Sequence, residues 1–349
     1  MKSFIELYKK QSKSAIEFHK ELLQSTEYKK WDYIVDKEWM KVVFRDFLEP
    51  LDISYIDEGN SFYFSDKKVR LYFLPYIDNS SSLNPYTDNK VQSEFSYKLY
   101  LENNEQGIRL LQLHEDYFVN EIKLNVFLNA LKHALGKNTE NRIYARDCEI
   151  EIIPAIQTKP LFLKNNIQGY RNANTAFMLV HKKTQKIVMC YTIGYAHFGK
   201  GLYDAEIARG MCILGYSVIG GASKLWKTIQ DYYLTRTLKN EIVEKGHGVN
   251  SIIYYVDLNL YNGRSISKMG NTAENSYMFL GSQSGFRNLW IENKELKERE
   301  PSRHSFIMEQ MKQGKIAQIP NAGTSINVWV RSGVELNEKL KKFIAEKKK

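Results

Sequence analysis

Apolar residues recur along this chain with two rhythms, every three or four positions in some stretches and in short runs or alternation in others. The first marks helices and the second marks strands. Phe4, Leu7, Tyr8, Ala15, Phe18 and Leu22 share one helical face across Ser3–Leu23, and Val42, Val43, Phe47 and Leu48 share one across Trp39–Leu51. Strand-like segments follow at Ser61–Phe64 and Val69–Ile77. Asp78–Asn89 is polar, rich in Ser, Asn and Pro, and reads as a loop. Gly107–His114, with Ile108, Leu110, Leu111 and Leu113, reads as a buried strand. It passes through Glu115 and Asp116 into a helix over Val119–Leu135, stopped by Gly136.

The polar stretch Gly136–Glu140 separates this region from one denser in strands: Arg142–Ile153, Ala176–Lys182, Ile187–Tyr195, Tyr203–Leu214 and Ser251–Leu260. Thr184-Gln185 between two of them reads as a hairpin turn. The pattern predicts an α/β (α+β) protein, with one mixed sheet and its helices in residues 1–140, a second in 141–332 and a basic tail over 333–349.

One junction carries chemistry. The run Val218-Ile219-Gly220-Gly221-Ala222-Ser223-Lys224-Leu225 lies between the apolar Ala208–Leu214 and the amphipathic Leu225–Leu238. A chain that passes through glycines into a helix leaves main-chain N–H groups at the helix start without helical partners. Together with the helix dipole they form a place for an anion. Ser223 is expected to cap the helix and Lys224 to add a positive charge. The plainer expectation is a tight turn in which glycine relieves backbone strain.

Other residues suggest function by type and position. His114, Glu115 and Asp116 stand together at a strand end, where carboxylates can hold a metal or simply favour the start of the following helix. Asp257 ends the strand Ile252–Val256, a usual location for ligand-binding groups. Asn262 with Gly263 reads as a turn, and His197 falls in a loop. Glu206 and Arg209, three apart on a strand, are expected to face opposite sides, and either could pair with Lys224 or Asp257 if buried.

Composition adds a partner class. The net charge is +10 and the isoelectric point near 9.1, which favours polyanions such as nucleic acid. Cys148, Cys190 and Cys212 are too far apart for a metal site or a disulfide framework. No apolar run approaches the roughly 18 residues of a membrane span, so no membrane partner is expected and a cytoplasmic location is.

The order strand, glycine loop, long helix, strand, Asn, short helix resembles that of GNAT-type acyltransferases, which hold the pyrophosphate of acyl-CoA at such a loop. A narrower resemblance is carried by Gly169, Glu206-Ile207-Ala208-Arg209, Val218–Leu225, Tyr255-Val256-Asp257, Asn262-Gly263 and Ser302–Phe306. Their order is similar to that in the carboxy-terminal domain of phage Hef-type homing endonucleases and in the phage Mom DNA-modification protein.

The resemblance implies double-stranded DNA as partner. It also implies an amino-terminal domain similar to very-short-patch repair nucleases, which cleave phosphodiesters with magnesium or manganese. On that alignment Glu115 and Asp116 are metal ligands with His114 beside them. Leu71 and the neighbourhood of Val43 occupy the places of a further Asp and Glu. A Mom-like transferase using an acyl-CoA-type donor at Gly220–Lys224, with Asp257 beside it and Glu206, Arg209 and Asn262 in support, is the alternative. A scaffold binding only DNA or protein is another.

Overall fold

The structure, a computed structural model, describes residues 2–3, 14–24, 33–34, 37–74, 89–114, 117–118, 120–138, 141–195, 203–234, 249–261, 277–292, 295–297, 309, 316–331, 333, 335 and 338–347. It is an α/β protein with mixed sheets. The chain divides into two compact units. The first comprises Met1–Leu135, Leu258–Asn262 and Gln283–Gly323, and the second Gly136–Asp257, Gly263–Ser282 and Thr324–Lys349.

The first unit is built on a four-stranded sheet in the order β1 (Ile56–Asp57), β2 (Ser61–Phe64), β3 (Val69–Leu74), β4 (Arg109–His114). The first three strands run antiparallel, whereas β3 and β4 are parallel. Parallel neighbours need a crossover, and helix α3 (Asn89–Glu105) supplies it. Helices α1 (Ala15–Gln24), α2 (Lys37–Leu48) and α4 (Glu121–Ala134) belong to the same unit. Phe44 of α2 meets Phe73, Phe118 and Phe127 edge-on at centroid distances of 5.9, 6.1 and 5.9 Å, the geometry favoured by ring quadrupoles. Asn120 caps α4 by accepting from Lys123 N at 3.1 Å. Along the outer edge of β4 lies the segment Leu258–Leu260. There Gln112 N donates to Asn259 O at 2.9 Å, and Arg109 Nη2 donates to Leu260 O at 3.2 Å.

In the second unit six strands follow the order β6 (Cys148–Pro154), β7 (Thr175–His181), β8 (Lys186–Tyr195), β9 (Ala205–Cys212), β11 (Ser251–Asp257), β12 (Ile316–Val330, here from Thr324). Every neighbouring pair is antiparallel except β9 and β11. Those two are joined through the short strand β10 (Tyr216–Ile219) and helix α6 (Gly221–Leu234). They pair only over Ala205–Ile207 and Ile252–Tyr254. Leu225, Trp226, Ile229 and Tyr233 of α6 cover one face of the sheet, packed with Phe177, Ile193, Ile207 and Trp329. On the other face α5 (Lys159–Asn165) places Phe162 against Met178 and Cys190, and α7 (Glu338–Lys347) places Leu340 against Ile253 and Val328.

The expected strand Arg142–Ile153 is two strands. A 3₁₀ turn, Ala145–Asp147, ends β5 (Asn141–Tyr144), which pairs in parallel with β10, and then starts β6, which pairs with β7. The hairpin turn expected at Thr184-Gln185 joins β7 to β8, with Gln185 in the left-handed region at φ 54°.

All three cysteines are free thiols. Burial pushes Cys190 up to about 12 and Cys212 up to about 11, from an ordinary 9.0, and pushes Tyr233 up to about 12 from 10.0. These groups stay protonated in the fold and ionise in the unfolded chain, so the unfolded state binds fewer protons above pH 9. Stability is therefore expected to fall as pH rises from about 9 towards 12. Arg209, held at about 10 by burial and by Arg171, opposes the trend only above pH 10. Urea midpoints measured between pH 8 and 11 check this.

Candidate functional site

The glycine turn lies where β10 delivers the chain to α6. Its first helical hydrogen bond is Lys224 N to Gly220 O at 3.0 Å, so Gly220 occupies the capping position and Ser223 stands in the first turn, exposed. The capping expected of Ser223 is therefore replaced by a glycine start, which has no side chain to offer. The amides of Gly221, Ala222 and Ser223 precede that first bond and have no partner within the helix.

Each glycine answers a different constraint. Gly220 has φ +75°, a conformation that side chains resist. At Gly221 a Cβ would come within 2.8 Å of both Met189 Sδ and Val218 Cγ1, beneath the helix start. Gly221→Ala is expected to lower stability by about 1–3 kcal/mol through overpacking, read as a lower urea midpoint.

Lys224 does not project in front of the loop. Its Nζ donates to Ala145 O at 3.0 Å and Cys148 O at 2.6 Å, the two ends of the 3₁₀ turn between β5 and β6. The charge thus adds a donor to Ala145 O, which also accepts from Cys148 N, and a donor to Cys148 O, clamping α6 to the start of the sheet.

Other cations stand beside the loop instead. The register pairs Ser217 with Arg142 and Ile219 with Tyr144, and a Cβ on Gly220 would be 3.6 Å from that of Ala145. Arg142 and Tyr144 point to the same side of β5, away from Ile143, which packs into the core. Tyr144 is 41% exposed and Ile219 beside it 42%. The guanidinium carbons of Arg142 and Arg146 lie 5.9 and 4.9 Å from the centre of the Tyr144 ring, within cation–π range. Two arginines, an exposed aromatic ring and the positive end of α6 thus form one ledge. No sequence signal marks it, because the turn at Ala145–Asp147 is hidden inside an unbroken strand pattern.

Glu206 and Arg209 are also placed differently from the expectation. Glu206 pairs with Gly194, Ile207 with Ile193 and Arg209 with Thr192, so Ala208 is an extra residue in a β-bulge. The bulge resets the alternation and puts Glu206 and Arg209 on the same face. Glu206, 1% exposed, accepts both Arg171 Nη1 and Arg171 Nη2, the latter at 3.1 Å. Its partner is therefore Arg171, from the loop after α5. Arg209 Nε donates to Gly169 O at 3.3 Å and its Nη1 to Ala208 O at 2.7 Å. Asp257 ends β11 opposite Thr324.

In the first unit His114 is fully buried, its Nε2 3.0 Å from Asn259 Oδ1 and its ring 5.6 Å from that of Tyr117. Val43 and Leu71 are both 0% exposed in the apolar core. Glu115, Asp116, His197 and Asn262 lie outside the described residues. Among the described residues no group of three or more His, Cys, Asp and Glu side chains converges as a metal site.

Comparison with known proteins gives no further assignment: no family model matches the chain, and neither does any curated protein. Among the described residues no helix is long and apolar enough to cross a membrane.

Proposed function

We propose that the chain binds double-stranded DNA through the ledge formed by Arg142, Tyr144 and Arg146 beside the start of α6. The observation that carries this reading is the exposed Tyr144 ring with two guanidinium groups in cation–π range, next to a helix amino terminus. Guanidinium forks match phosphate oxygens bidentately, and helix-start amides donate to the same oxygens. The net charge of +10 supplies the long-range attraction.

Fluorescence anisotropy with a duplex of arbitrary sequence tests the reading. Affinity is expected to fall linearly on a log–log plot against salt, as counterion release requires. Salt-independent binding, or none at low salt, overturns it. Val43 and Leu71 leave no carboxylates at two of the places where the similar nucleases hold metal, so no hydrolytic step is assigned. Nicking of plasmid DNA with magnesium or manganese, abolished in Asp116→Ala, would replace the binding-only reading with a nuclease.

A second reading, transfer from an acyl-CoA-type donor, is favoured by one observation: the parallel neighbours β9 and β11 are joined through a helix that starts at a glycine turn. Lys224 is committed to carbonyls, which leaves main-chain amides as the donors for a pyrophosphate. Thermal unfolding with millimolar acetyl-CoA decides it, since a ligand that binds only the folded state raises the melting temperature. No shift discards this reading.

A further inference from the structure

Along β9, two guanidiniums lie on the same face of the sheet as one buried carboxylate, which is bound to the first of them. We infer that Arg171, Glu206 and Arg209 form a receptor for a small oxyanion, a carboxylate or a phosphate, on the face of the sheet opposite α6.

The trio carries one negative and two positive charges on a single face, because the bulge at Ala208 brings Arg209 round to the side of Glu206. Glu206 is committed in bidentate fashion to Arg171. Arg209 is held by neutral acceptors only among its described hydrogen bonds, the carbonyls of Gly169 and Ala208. Burial first, and then the neighbouring Arg171, lower its hold on its proton to about 10, with Glu206 and Tyr254 pulling the other way. The hydroxyls nearby are neutral: Tyr203 and Tyr255 hydrogen-bond to each other, and burial, with Glu206 adding to it, raises both above the ordinary phenol value.

The site is also open. The side chain of Arg171 is 22% exposed and Arg209 is half-buried, while Glu206 beneath them is sealed. The fork of Arg209 is fixed by Gly169 O and Ala208 O, so an anion meets a guanidinium that is already oriented. A mobile surface arginine would lose rotamer freedom on binding, and this one has already lost it. The ligand class follows from these donors, which suit planar carboxylates and tetrahedral phosphates.

The test is thermal unfolding of the full chain in phosphate, acetate or chloride at matched ionic strength. A saturable rise in melting temperature with phosphate or acetate, but not with chloride, is expected. A response to acetate alone identifies a carboxylate ligand, and one to phosphate alone a phosphate ester. Arg209→Gln, which removes the excess charge, is expected to abolish the shift. Arg209→Lys, which keeps the charge but loses the fork, is expected to raise the half-saturating concentration about tenfold. Glu206→Gln removes the internal anion, so added anion is expected to stabilise that variant more than the parent. The Arg142→Ala/Arg146→Ala protein is expected to keep the shift, which separates this site from the DNA ledge. Equal shifts in the parent and Arg209→Gln, or none in either the parent or Glu206→Gln, overturn the proposal.

Discussion

Replacing Glu206 with alanine is expected to lower the free energy of unfolding by about 3 kcal/mol, the largest single-residue effect outside the apolar core. Removing one partner of a buried ion pair costs roughly 3–5 kcal/mol, since the other charge stays desolvated and uncompensated. Here the cost has two sources. Arg171 loses both of its bonds to a carboxylate that is 1% exposed, and Arg209 on the same face loses a neighbouring negative charge. The 22% exposure of the Arg171 side chain lets water reach part of it, which sets the expectation at the lower end of the range. Urea unfolding should show a lower midpoint with an unchanged slope. Arg171→Ala is expected to cost less, because Arg209 remains to face the carboxylate. A double-mutant cycle between positions 171 and 206 should therefore give a coupling energy of order 1–3 kcal/mol. Equal losses for both single variants would show that Arg209 contributes nothing to holding Glu206.

The same trio shows what the sequence can and cannot carry. That Glu206, if buried, needs a partner follows from its charge, but which residue supplies it does not. The partner, Arg171, lies on a loop 35 positions away, and the bulge that sets the geometry adds one residue to a strand whose apolar pattern looks regular. Strands with a clear apolar pattern are legible: Ser61–Phe64 stands where expected, and the expected Val69–Ile77 and Gly107–His114 are described as Val69–Leu74 and Arg109–His114.

Helix α3 is not legible, and the reason is physical. The face it buries is Ser96, Tyr100 and Asn103, while Phe95 and Leu101 are exposed. Asn103 Oδ1 accepts from Arg70 Nη1, and Ser96 O accepts from Gln112 Nε2 at 2.9 Å. A helix whose inner face sets Ser96 and Asn103 beside Tyr100 leaves little apolar rhythm to read. The role of Lys224 escapes the sequence for a related reason. A lysine beside a glycine turn has the same appearance whether it faces solvent or closes carbonyls of a distant turn, and its acceptors Ala145 and Cys148 lie 79 and 76 residues earlier.

Arg142→Ala combined with Arg146→Ala is expected to weaken duplex DNA binding by at least about tenfold at low salt and to flatten its salt dependence. Removing one phosphate neutralisation should reduce the log–log slope by about 0.9, so the double variant should show a slope shallower by about 1.8. The weakening should be uniform across sequences, because phosphates carry no base identity. Tyr144→Ala separates positioning from stacking. In duplex DNA the bases are already stacked, so the ring acts there mainly by holding the two guanidiniums and its removal should have a small effect. On single-stranded DNA a base can lie on the ring, and stacking of this kind contributes roughly 1–3 kcal/mol per base. A weakening of about tenfold or more for single strands, with little change for duplex, would mark Tyr144 as a platform for unpaired bases. Lys224→Met serves as the contrast. It removes a positive charge beside the glycine turn, yet the ammonium it removes is the one that donates to Ala145 O and Cys148 O. It should lower thermal stability and leave the salt slope unchanged. If Lys224→Met flattens the slope while the double arginine variant does not, the cationic surface lies in front of the glycine turn rather than along β5.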